Sequence, residues 1–392
     1  MSRSRLIPVS LASLLLGILC LGFVLGAGAG KDSIYRYLNV FAEVYSLVKG
    51  YYVDPVEDDS LLDGAYRGMV GGLDSFSGYL PKDEFQRFRS DLSGGPATTG
   101  IEALRVPGGA LVVAVAAGSP AEKAGVRPAD QIWSIEGVST RQMCLAQVRR
   151  GLRGAEDSVV RLLIYHPKTQ KREDLRLRRA LPSGAPFESR LADGKIGYVR
   201  IRDLQRTEKD ALKSALASLK QKGAVKLLLD LRGCATGGVD DSVKLAGLFL
   251  PSGPVVSIQE RDGKKVVRET KASPAWTLPV YVLGNSGSAG GAEVLAAALR
   301  ARLKSTLIGE STYGLGSTQE LVALPAGDGL VLSSTKLVSP GGEMWNKTGL
   351  KPDKEIPATL DERSGLEPDA QLQKALDVAR GLAQAAPPAK AA

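Results

Sequence analysis

A glycine- and serine-rich segment that follows an apolar run is the part of this sequence best suited to chemistry. Residues 285–300 read NSGSAGGAEVLAAALR, and the run PVYVLG precedes them. A turn that leads from a strand into a helix presents backbone N–H groups at the helix N-terminus, where they stabilise a carboxylate or an oxyanion. Serine in such a turn is typical of acyl-transfer enzymes. The same residues also suit a purely structural connection, and this segment alone does not decide between the two.

The rest of the composition limits the chemistry open to the serines of this turn. The only histidine, His166, lies in a predicted hairpin loop remote from the turn. A Ser-His-Asp triad is therefore not expected, and a site with several histidine ligands is excluded. The cysteines Cys20, Cys144 and Cys234 lack the paired spacing of zinc or redox motifs, and the last two are expected to be small, partly buried residues. We expect no metal and no cofactor.

Strands and helices alternate around the turn from about residue 194 onward. The run VKLLLDL reads as a buried strand that opens into RGCATGG, residues 232–238, and PVYVLG opens into the Gly/Ser turn in the same way. Alternation of this kind builds an α/β sheet covered by helices, with functional sites beyond the carboxyl ends of the strands. One helix is predicted to be capped by Thr207 with Asp210 in its first turn, and another to run over residues 239–250.

The N-terminal half has a different pattern. Short strands and turns begin at Thr98, and Ser119 with Pro120 starts a short helix that Gly125 ends. Before them, apolar residues at helical spacing predict one helix from about residue 32 and a second from Ser60. Two short helices cannot bury a full core, so we expect them to pack on another domain or on a second subunit.

The first residues read as an export signal. Arginines precede an apolar run at residues 6–27, which is long enough to span a bilayer. We expect this run to be retained as a membrane anchor, with cleavage near Ala27-Gly28-Ala29 as the alternative. Either outcome places the rest of the chain outside the cytoplasm, on a periplasmic or extracellular face.

The formal charge of +9 raises the possibility of nucleic-acid binding. The basic stretches QVRRGLRG and KREDLRLRRA carry no interleaved aromatic residues and match no nucleic-acid module. A solvated basic face explains them better, and we predict no nucleic-acid partner. A binder of polyanions or of an anionic cell envelope stays open as a third function, with strongly salt-dependent binding as its signature.

Six segments in the same order resemble the carboxyl-terminal processing peptidases, or tail-specific proteases, of peptidase family S41. They are YYVDPVEDDSLLDGAYRGMVGGLDSFSGYLPKDEF, the PDZ-like GSPAEKAGVRPADQIWSIEG, LLLDLRGCATGG, NSGSAGGAEVLAAALR, IGESTYGLGSTQE and TKLVSPGGEMWNKTGLKPD. The resemblance implies an α/β, ClpP/crotonase-like peptidase core with an inserted β-rich PDZ domain and N-terminal helices. We accordingly divide the chain into a signal or anchor segment (1–30), an N-terminal helical region (31–96), a PDZ domain (97–182), an S41 peptidase-like core (183–360) and a C-terminal helix with an Ala/Pro tail (361–392).

The resemblance also implies a serine nucleophile and a lysine general base, and both are replaced here. The family nucleophile lies three residues before a glutamate that matches Glu293, so its position is held by Gly290. The family lysine, in a Gly-Lys-Gly turn, is matched by Leu315, and a glutamine four residues later is matched by Gln319. Glycine offers no hydroxyl and leucine no amine. In subtilisin, removal of the nucleophile costs on the order of a million-fold in turnover.

The family's oxyanion segment, Asn-Pro-Gly-Gly, has changed as well. Thr236 stands at its first glycine and Gly237 at its second. Ser288, in the Gly/Ser turn, is the candidate for a relocated nucleophile. Lys304 follows a helix roughly 18 Å long and lies beyond its far end, whereas Lys336 stays open as a base. If the scaffold is otherwise intact, Gly290→Ser combined with Leu315→Lys should regain hydrolysis.

The PDZ resemblance implies a site for peptide C-termini. Its carboxylate loop is matched by Thr99, Gly100, Ile101 and Glu102. A PDZ domain pairs a C-terminal strand with its sheet edge and holds the terminal carboxylate with backbone N–H groups.

We therefore predict an exported, membrane-anchored pseudopeptidase that binds peptide or protein C-termini and acts as a scaffold or regulator. Its partners would include an active paralogous protease, and the resemblance implies terminal helices that can take part in a homodimer. The alternative is an active serine endopeptidase that processes exported proteins near their C-termini with Ser288 as a relocated nucleophile.

Overall fold

The computed structural model describes residues 31–90, 95–192, 195–363 and 368–381. The predicted leader and the Ala/Pro tail lie outside these residues. Within the described ranges, no helix is both long enough and apolar enough to cross a membrane. The chain divides into two compact units, one ending at Tyr66 and the other beginning at Arg67.

The N-terminal region is helical, as its apolar spacing predicts. Its elements are α1 (Lys31–Tyr51), α2 (Asp58–Gly71), β1 (Gly78–Leu80) and α3 (Lys82–Ser90). Lys49 Nζ and Asp58 Oδ1 form an ion pair of 2.5 Å that joins the end of α1 to the start of α2. The predicted apolar face of α1 is exposed in this chain: Ile34, Leu38 and Phe41 are 60%, 55% and 41% exposed.

An antiparallel β-module follows. Its elements are β2 (Ala97–Thr98), β3 (Ile101–Val106), β4 (Gly109–Val115), α4 (Pro120–Lys123), β5 (Gln131–Ile135), β6 (Val138–Ser139), a 3₁₀ turn (Thr140–Gln142), α5 (Leu145–Gly151), β7 (Arg153–Gly154), β8 (Val159–His166) and β9 (Lys171–Arg178). The main sheet has the strand order β3-β4-β5-β8-β9, which leaves β3 at an edge beside α5. Ser119 caps α4 as predicted, because its hydroxyl accepts the Glu122 N–H at 3.2 Å.

The C-terminal half is the predicted α/β core. Its elements are β10 (Phe187–Ala192), β11 (Ile196–Ile201), α6 (Lys209–Gln221), β12 (Lys226–Asp230), α7 (Val239–Ala246), β13 (Gly253–Gln259), β14 (Lys265–Thr270), β15 (Val280–Gly284), α8 (Gly291–Leu303), β16 (Thr306–Gly309), β17 (Gln319–Ala323), β18 (Gly329–Ser333), β19 (Lys336–Val338), β20 (Lys354–Glu355), α9 (Leu360–Arg363) and α10 (Ala370–Arg380). Its main sheet has the order β10-β11-β12-β15-β16-β20 and is parallel except at β10.

Both faces of this sheet are covered, which explains why its strands read as continuous apolar runs. Alternate residues of β12 point to opposite faces. Leu227 and Leu229 join the core formed with α6, α7 and α8, whereas Leu228 packs in a second core with Leu372 and Leu376 of α10. Two three-stranded sheets, β14-β13-β19 and β1-β18-β17, and the two-stranded sheet β2-β7 complete the described fold.

Two local predictions were wrong. Glu208, not Thr207, is the N-cap of α6, and the Thr207 hydroxyl instead donates to the Asp203 carbonyl at 2.6 Å. The helix predicted over residues 239–250 ends at Ala246. The apolar residues that follow it are buried in the core without helical backbone, so burial and not helical periodicity accounts for them.

Candidate functional site

The two glycine-rich turns meet at one edge of the core sheet. They follow β12 and β15, which are adjacent and parallel. Asn285 Oδ1 accepts the Gly233 N–H at 3.1 Å, and the Ala289 N–H donates to the Cys234 carbonyl at 3.0 Å. The neighbouring carboxyl ends of parallel strands therefore assemble the site, as the sequence indicates.

Gly290 lies at the sharp point of the turn into α8. Its φ of +58° and ψ of −112° belong to a conformation that favours glycine. A β-carbon at this position would lie 3.3 Å from Leu315 Cδ2. The two positions that match the family nucleophile and base are thus neighbours in space, and in this chain they bring together a hydrogen atom and a methyl group.

Leu315 is buried in an apolar cluster where the base would be. It is 7% exposed and packs with side chains from the β-module, the N-terminal region and both glycine-rich turns: Phe76, Leu104, Leu145, Ala235 and Ala289. Tyr313 closes one side, with its hydroxyl donating to the Arg105 carbonyl at 2.5 Å and its ring edge-on to Phe76. Such surroundings do not support proton transfer, because none of these six side chains, Leu315 included, has a titratable group.

Glu293 fixes positions 290 and 315 relative to each other, a role that sequence reasoning missed. Its carboxylate accepts the N–H groups of Gly290, Gly314 and Leu315 at 3.0, 2.7 and 2.9 Å, and the Thr312 hydroxyl at 2.5 Å. Burial raises the pKa of Glu293 to about 7, although these four donors act against the rise. The third residue of a helix is a capping position, so the contact with Gly290 could have been predicted. The contacts with residues 312–315 could not.

The segment that matches the oxyanion hole presents an acceptor to the turn. The Gly237 carbonyl accepts the Gly291 N–H at 3.2 Å and would lie 3.4 Å from a β-carbon at position 290. The Thr236 hydroxyl donates to Asp203 Oδ1 at 2.9 Å and accepts the Leu204 N–H at 2.9 Å. A site that stabilises an oxyanion needs N–H donors aimed at the developing charge. Here the group of this segment that lies next to position 290 is a carbonyl oxygen, which is an acceptor.

Ser288 is a structural residue of the turn. It is 2% exposed, its hydroxyl donates to the Leu231 carbonyl at 2.8 Å, and its oxygen accepts the Asn285 N–H at 3.1 Å. Neither lysine considered as a base for Ser288 is positioned to serve it. Lys304 caps the far end of α8, and Lys336 is exposed on β19, in another sheet.

Gln319 does not contact Leu315 through a hydrogen bond. Its amide donates to the Ser317 hydroxyl and carbonyl at 3.0 and 3.3 Å. Its side chain instead lines a cleft of about 270 Å³ that also reaches Thr236 and Gly237. The side of this cleft that faces the β-module is formed by the edge strand β3 and by α5.

This cleft contains half of the predicted peptide-binding loop. Ile101 and Glu102 line it, with Thr98. Thr99 is fully buried, and a β-carbon at Gly100 would collide with Ser119. These two residues therefore support the conformation of the loop and do not line the cleft. The loop's N–H groups are also engaged: Gly100 donates to Thr98 Oγ1 at 3.1 Å and Ile101 to Thr99 Oγ1 at 3.4 Å.

Charges surround the apolar floor of the cleft. Burial raises the pKa of Glu102, whose carboxylate faces the positive charges of Arg149 and Arg153. Arg149 Nη2 donates to the Ala235 carbonyl at 2.7 Å and so joins α5 to the oxyanion segment. The predicted peptide groove and the segment that matches the oxyanion hole therefore open into the same cleft, whereas Gly290 and Leu315 are not among its lining residues.

The remaining candidates lie elsewhere. His166 contacts Asp130 and Glu173 at 3.0 and 3.3 Å within the β-module, where β8 meets β9. Cys144 and Cys234 are fully buried, more than expected, and burial raises the pKa of their thiols to about 11 and about 12. Both thiols are therefore protonated at neutral pH and are poor nucleophiles.

Known proteins resemble the chain over both domains. Residues 195–356 match Peptidase family S41, and residues 111–165 match a PDZ domain. The carboxy-terminal processing protease CtpA of Bacillus subtilis is 32% identical over 82% of this chain and 68% of the relative. CtpB of the same organism is 30% identical over 81% of this chain and 67% of the relative.

A solved structure has the same fold. A photosystem II D1 C-terminal processing protease superposes with a TM-score of 0.63 and 27% identity, over 81% of this chain and 86% of that chain. Together with the order of the elements and the meeting of the two turns, these similarities show that the chain belongs to peptidase family S41, with the PDZ domain of the carboxy-terminal processing proteases.

Proposed function

We propose that this chain is a pseudopeptidase, which keeps the S41 scaffold, binds peptide C-termini and does not hydrolyse them. The observation that carries the proposal is the contact between positions 290 and 315. These positions adjoin, but they carry glycine and a buried leucine in place of a hydroxyl and an amine. A serine peptidase needs a nucleophile within reach of a base.

The oxyanion segment supports the same proposal. The Gly237 carbonyl faces the turn, and its partial negative charge would repel an oxyanion. Loss of a single oxyanion donor costs about 10²–10³ in turnover, and an acceptor in its place is worse than a missing donor.

Binding of C-termini is supported by the cleft. The edge strand β3 offers backbone groups for a further strand, and the cleft beside it has an apolar floor. A peptide in this position would lie along residues 101–103, with an apolar last side chain between β3 and α5. Its carboxylate would displace the 3.4 Å contact between the Ile101 N–H and Thr99.

The cellular role follows from the leader prediction. We propose export, with residues 6–27 as an N-terminal membrane anchor and the rest of the chain on the periplasmic or extracellular side. There the protein would act as a scaffold or regulator for exported clients or for an active paralogous protease. The exposed apolar face of α1 is available for a homodimer.

Hydrolysis is tested by a fluorophosphonate probe together with a peptide-cleavage assay. We expect no labelling and no cleavage, because the Ser288 hydroxyl is buried and already donates to Leu231. Labelling of the wild type that disappears in Ser288→Ala would establish the alternative, an active peptidase with a relocated nucleophile.

Binding is tested by fluorescence anisotropy with a labelled peptide that ends in apolar residues. We expect saturable binding of the free carboxylate form and loss of binding when the terminus is amidated. Ala146→Glu, in the cleft wall, should weaken binding at least about tenfold by adding bulk and a like charge. Val138→Glu, on an exposed position of the same domain, is the matched control. Equal affinity for the amidated peptide would refute C-terminal recognition.

A further inference from the structure

A second cavity lies between the PDZ domain and the core, and it shares no lining residue with the cleft described above. Its volume is about 370 Å³. One wall is β4 of the PDZ domain, which contributes Leu111 and Val113, and the opposite wall carries Arg200 of β11 and the first residues of the Gly/Ser turn. The volume lies within the range of sites for small molecules.

Arg200 is the unusual residue of this cavity. Its Nε is buried, and no acceptor for it is present in the part of the chain that the structure describes. Leaving a buried donor unpaired costs roughly 1–3 kcal/mol. Native proteins seldom retain such a group without a partner from outside the chain.

The carboxylates beside Arg200 are bound by other arginines. Its two register partners on the neighbouring strands are Glu188 and Asp230. Glu188 Oε2 accepts a hydrogen bond from Arg202 Nη1 at 3.0 Å and lies 3.0 Å from Arg202 Nη2. Asp230 accepts the Arg232 backbone N–H and side chain at 2.7–3.2 Å and the Tyr198 hydroxyl at 2.9 Å. Arg200 therefore lies between Asp230, whose two oxygens both accept hydrogen bonds, and Glu188, whose Oε2 is paired with Arg202.

The other cations of the cavity are satisfied. Arg232 donates to Asp230, Asp369 and Gln371 with all its nitrogens. Arg363 donates to Glu310 at 2.7 Å. Among the described residues that line the cavity, Arg200 is the arginine with a buried nitrogen, Nε, that has no acceptor.

We propose that this cavity is a binding site for an organic carboxylate, which pairs with the Arg200 guanidinium while its carbon chain lies against Leu111 and Val113. A guanidinium matches a carboxylate through two parallel hydrogen bonds. The apolar wall favours an organic anion over inorganic phosphate. Because both domains form the cavity, the bound carboxylate bridges the PDZ domain and the core.

Thermal unfolding and calorimetry of the full chain test the site, with succinate, an N-acetylglutamate amide and inorganic phosphate as separate ligands. We expect one or both carboxylates to bind saturably and to raise Tm with concentration, and phosphate to have no such effect. Arg200→Gln should weaken carboxylate binding at least about tenfold, the worth of one charge-assisted hydrogen bond. Arg190→Gln, an exposed arginine of the neighbouring strand β10, is the matched control and should bind as the wild type does.

The unliganded proteins separate a binding role from a structural one. If Arg200 serves a ligand, Arg200→Gln leaves Tm unchanged or higher, because an unpaired buried donor is removed. A fall in Tm with no change in carboxylate binding would overturn the proposal, as would saturation by phosphate alone or no saturable binding to the wild type. If Arg200→Gln does not fold, Leu111→Asp is measured instead. A carboxylate on the opposite wall should exclude the ligand, because the two negative charges repel each other. Unchanged carboxylate affinity of Leu111→Asp would also refute the site.

Discussion

At the scale of the residue, position 290 combines two departures from a working peptidase. Its backbone has the sharp turn conformation that places a nucleophile above a sheet, yet glycine holds it without strain. A side chain there would meet Leu315 and the Gly237 carbonyl. The backbone of the turn is therefore that of a strand-to-helix turn, while position 290 has no side chain and adjoins an apolar group and an acceptor.

Restoring the two dyad residues should not be enough to restore activity. We expect Gly290→Ser with Leu315→Lys to remain inactive in a peptide-cleavage assay, because the Gly237 carbonyl oxygen would still lie 3.4 Å from the β-carbon of residue 290. Adding Cys234→Asn, Ala235→Pro and Thr236→Gly, which rebuilds the family turn, should raise turnover at least ~10²-fold. Equal turnover by the two-site and five-site variants would show that the oxyanion segment is already competent.

Glu293 should make stability depend on pH. Burial raises the pKa of this carboxyl from an ordinary 4.5 to about 7, so between these values the folded state binds more protons than the unfolded state. The contribution of Glu293 to the free energy of unfolding is then fully present below about pH 4.5 and is lost as pH rises through about 7.

Urea unfolding between pH 4.5 and 7 measures this effect as a difference between the wild type and Glu293→Gln, which cannot titrate. We expect the variant to be less stable throughout this range, because the glutamine amide N–H would face four other donors. We also expect the stability of the variant to change less with pH over the same range. Parallel pH profiles for the two proteins would show that the carboxyl is ionised throughout.

At the scale of the element, the apolar cluster around Leu315 joins parts of the chain that are far apart in sequence. Phe76 precedes the PDZ domain, Leu104 and Leu145 belong to it, and Ala235 and Ala289 come from the two glycine-rich turns. The Tyr313–Arg105 hydrogen bond adds a polar contact across the same boundary. Leu315 is therefore part of a packing contact between the PDZ domain and the core.

Truncation of Leu315 should therefore destabilise the protein instead of affecting a catalytic step. We expect Leu315→Ala to lower the free energy of unfolding by about 2–5 kcal/mol, through lost burial and the cavity left behind. Val322→Ala, at an exposed position of β17, should cost less than about 0.5 kcal/mol. Denaturant unfolding measures both, and equal costs would contradict the packing role.

At the scale of the whole molecule, Arg232 connects the start of the oxyanion segment to the C-terminal helix. It donates to Asp230 at the end of β12 and to Asp369, which caps α10, and it is 8% exposed. Burial raises the pKa of both carboxyls, but the charge and hydrogen bonds of Arg232 outweigh burial and lower them below 3.8. Their stabilising contribution is therefore present above about that pH and is lost as pH falls through the lowered values.

Arg232→Lys should loosen this connection although it keeps the charge. Lysine cannot form the paired hydrogen bonds to two carboxylates, and it leaves Asp230 buried with fewer donors. We expect a loss of about 3 kcal/mol in unfolding free energy and faster amide hydrogen exchange in α10. Arg190→Lys, exposed on β10, is the control. Unchanged exchange in α10 would contradict a connecting role for Arg232.

Much of the fold could be predicted from local patterns. The apolar runs of β12 and β15 predict buried parallel strands, Ser119 with Pro120 predicts the start of α4, and the two glycine-rich turns follow strands as expected. The cap at Thr207 could not be predicted reliably, because its hydroxyl had a competing carbonyl in Asp203. The export signal and the membrane anchor remain predictions.

The sequence by itself determined the family, and it determined that positions 290 and 315 carry glycine and leucine where the resemblance implies a serine and a lysine, since these depend only on which residue types are present and in what order. Tertiary structure alone decided that positions 290 and 315 adjoin, that the Gly237 carbonyl faces the turn, and that Arg200 Nε is buried without an acceptor among the described residues. Such facts depend on peptide orientation and on contacts between distant segments. Residue order does not specify these, because the same residue types are compatible with several backbone orientations until the surrounding core is packed.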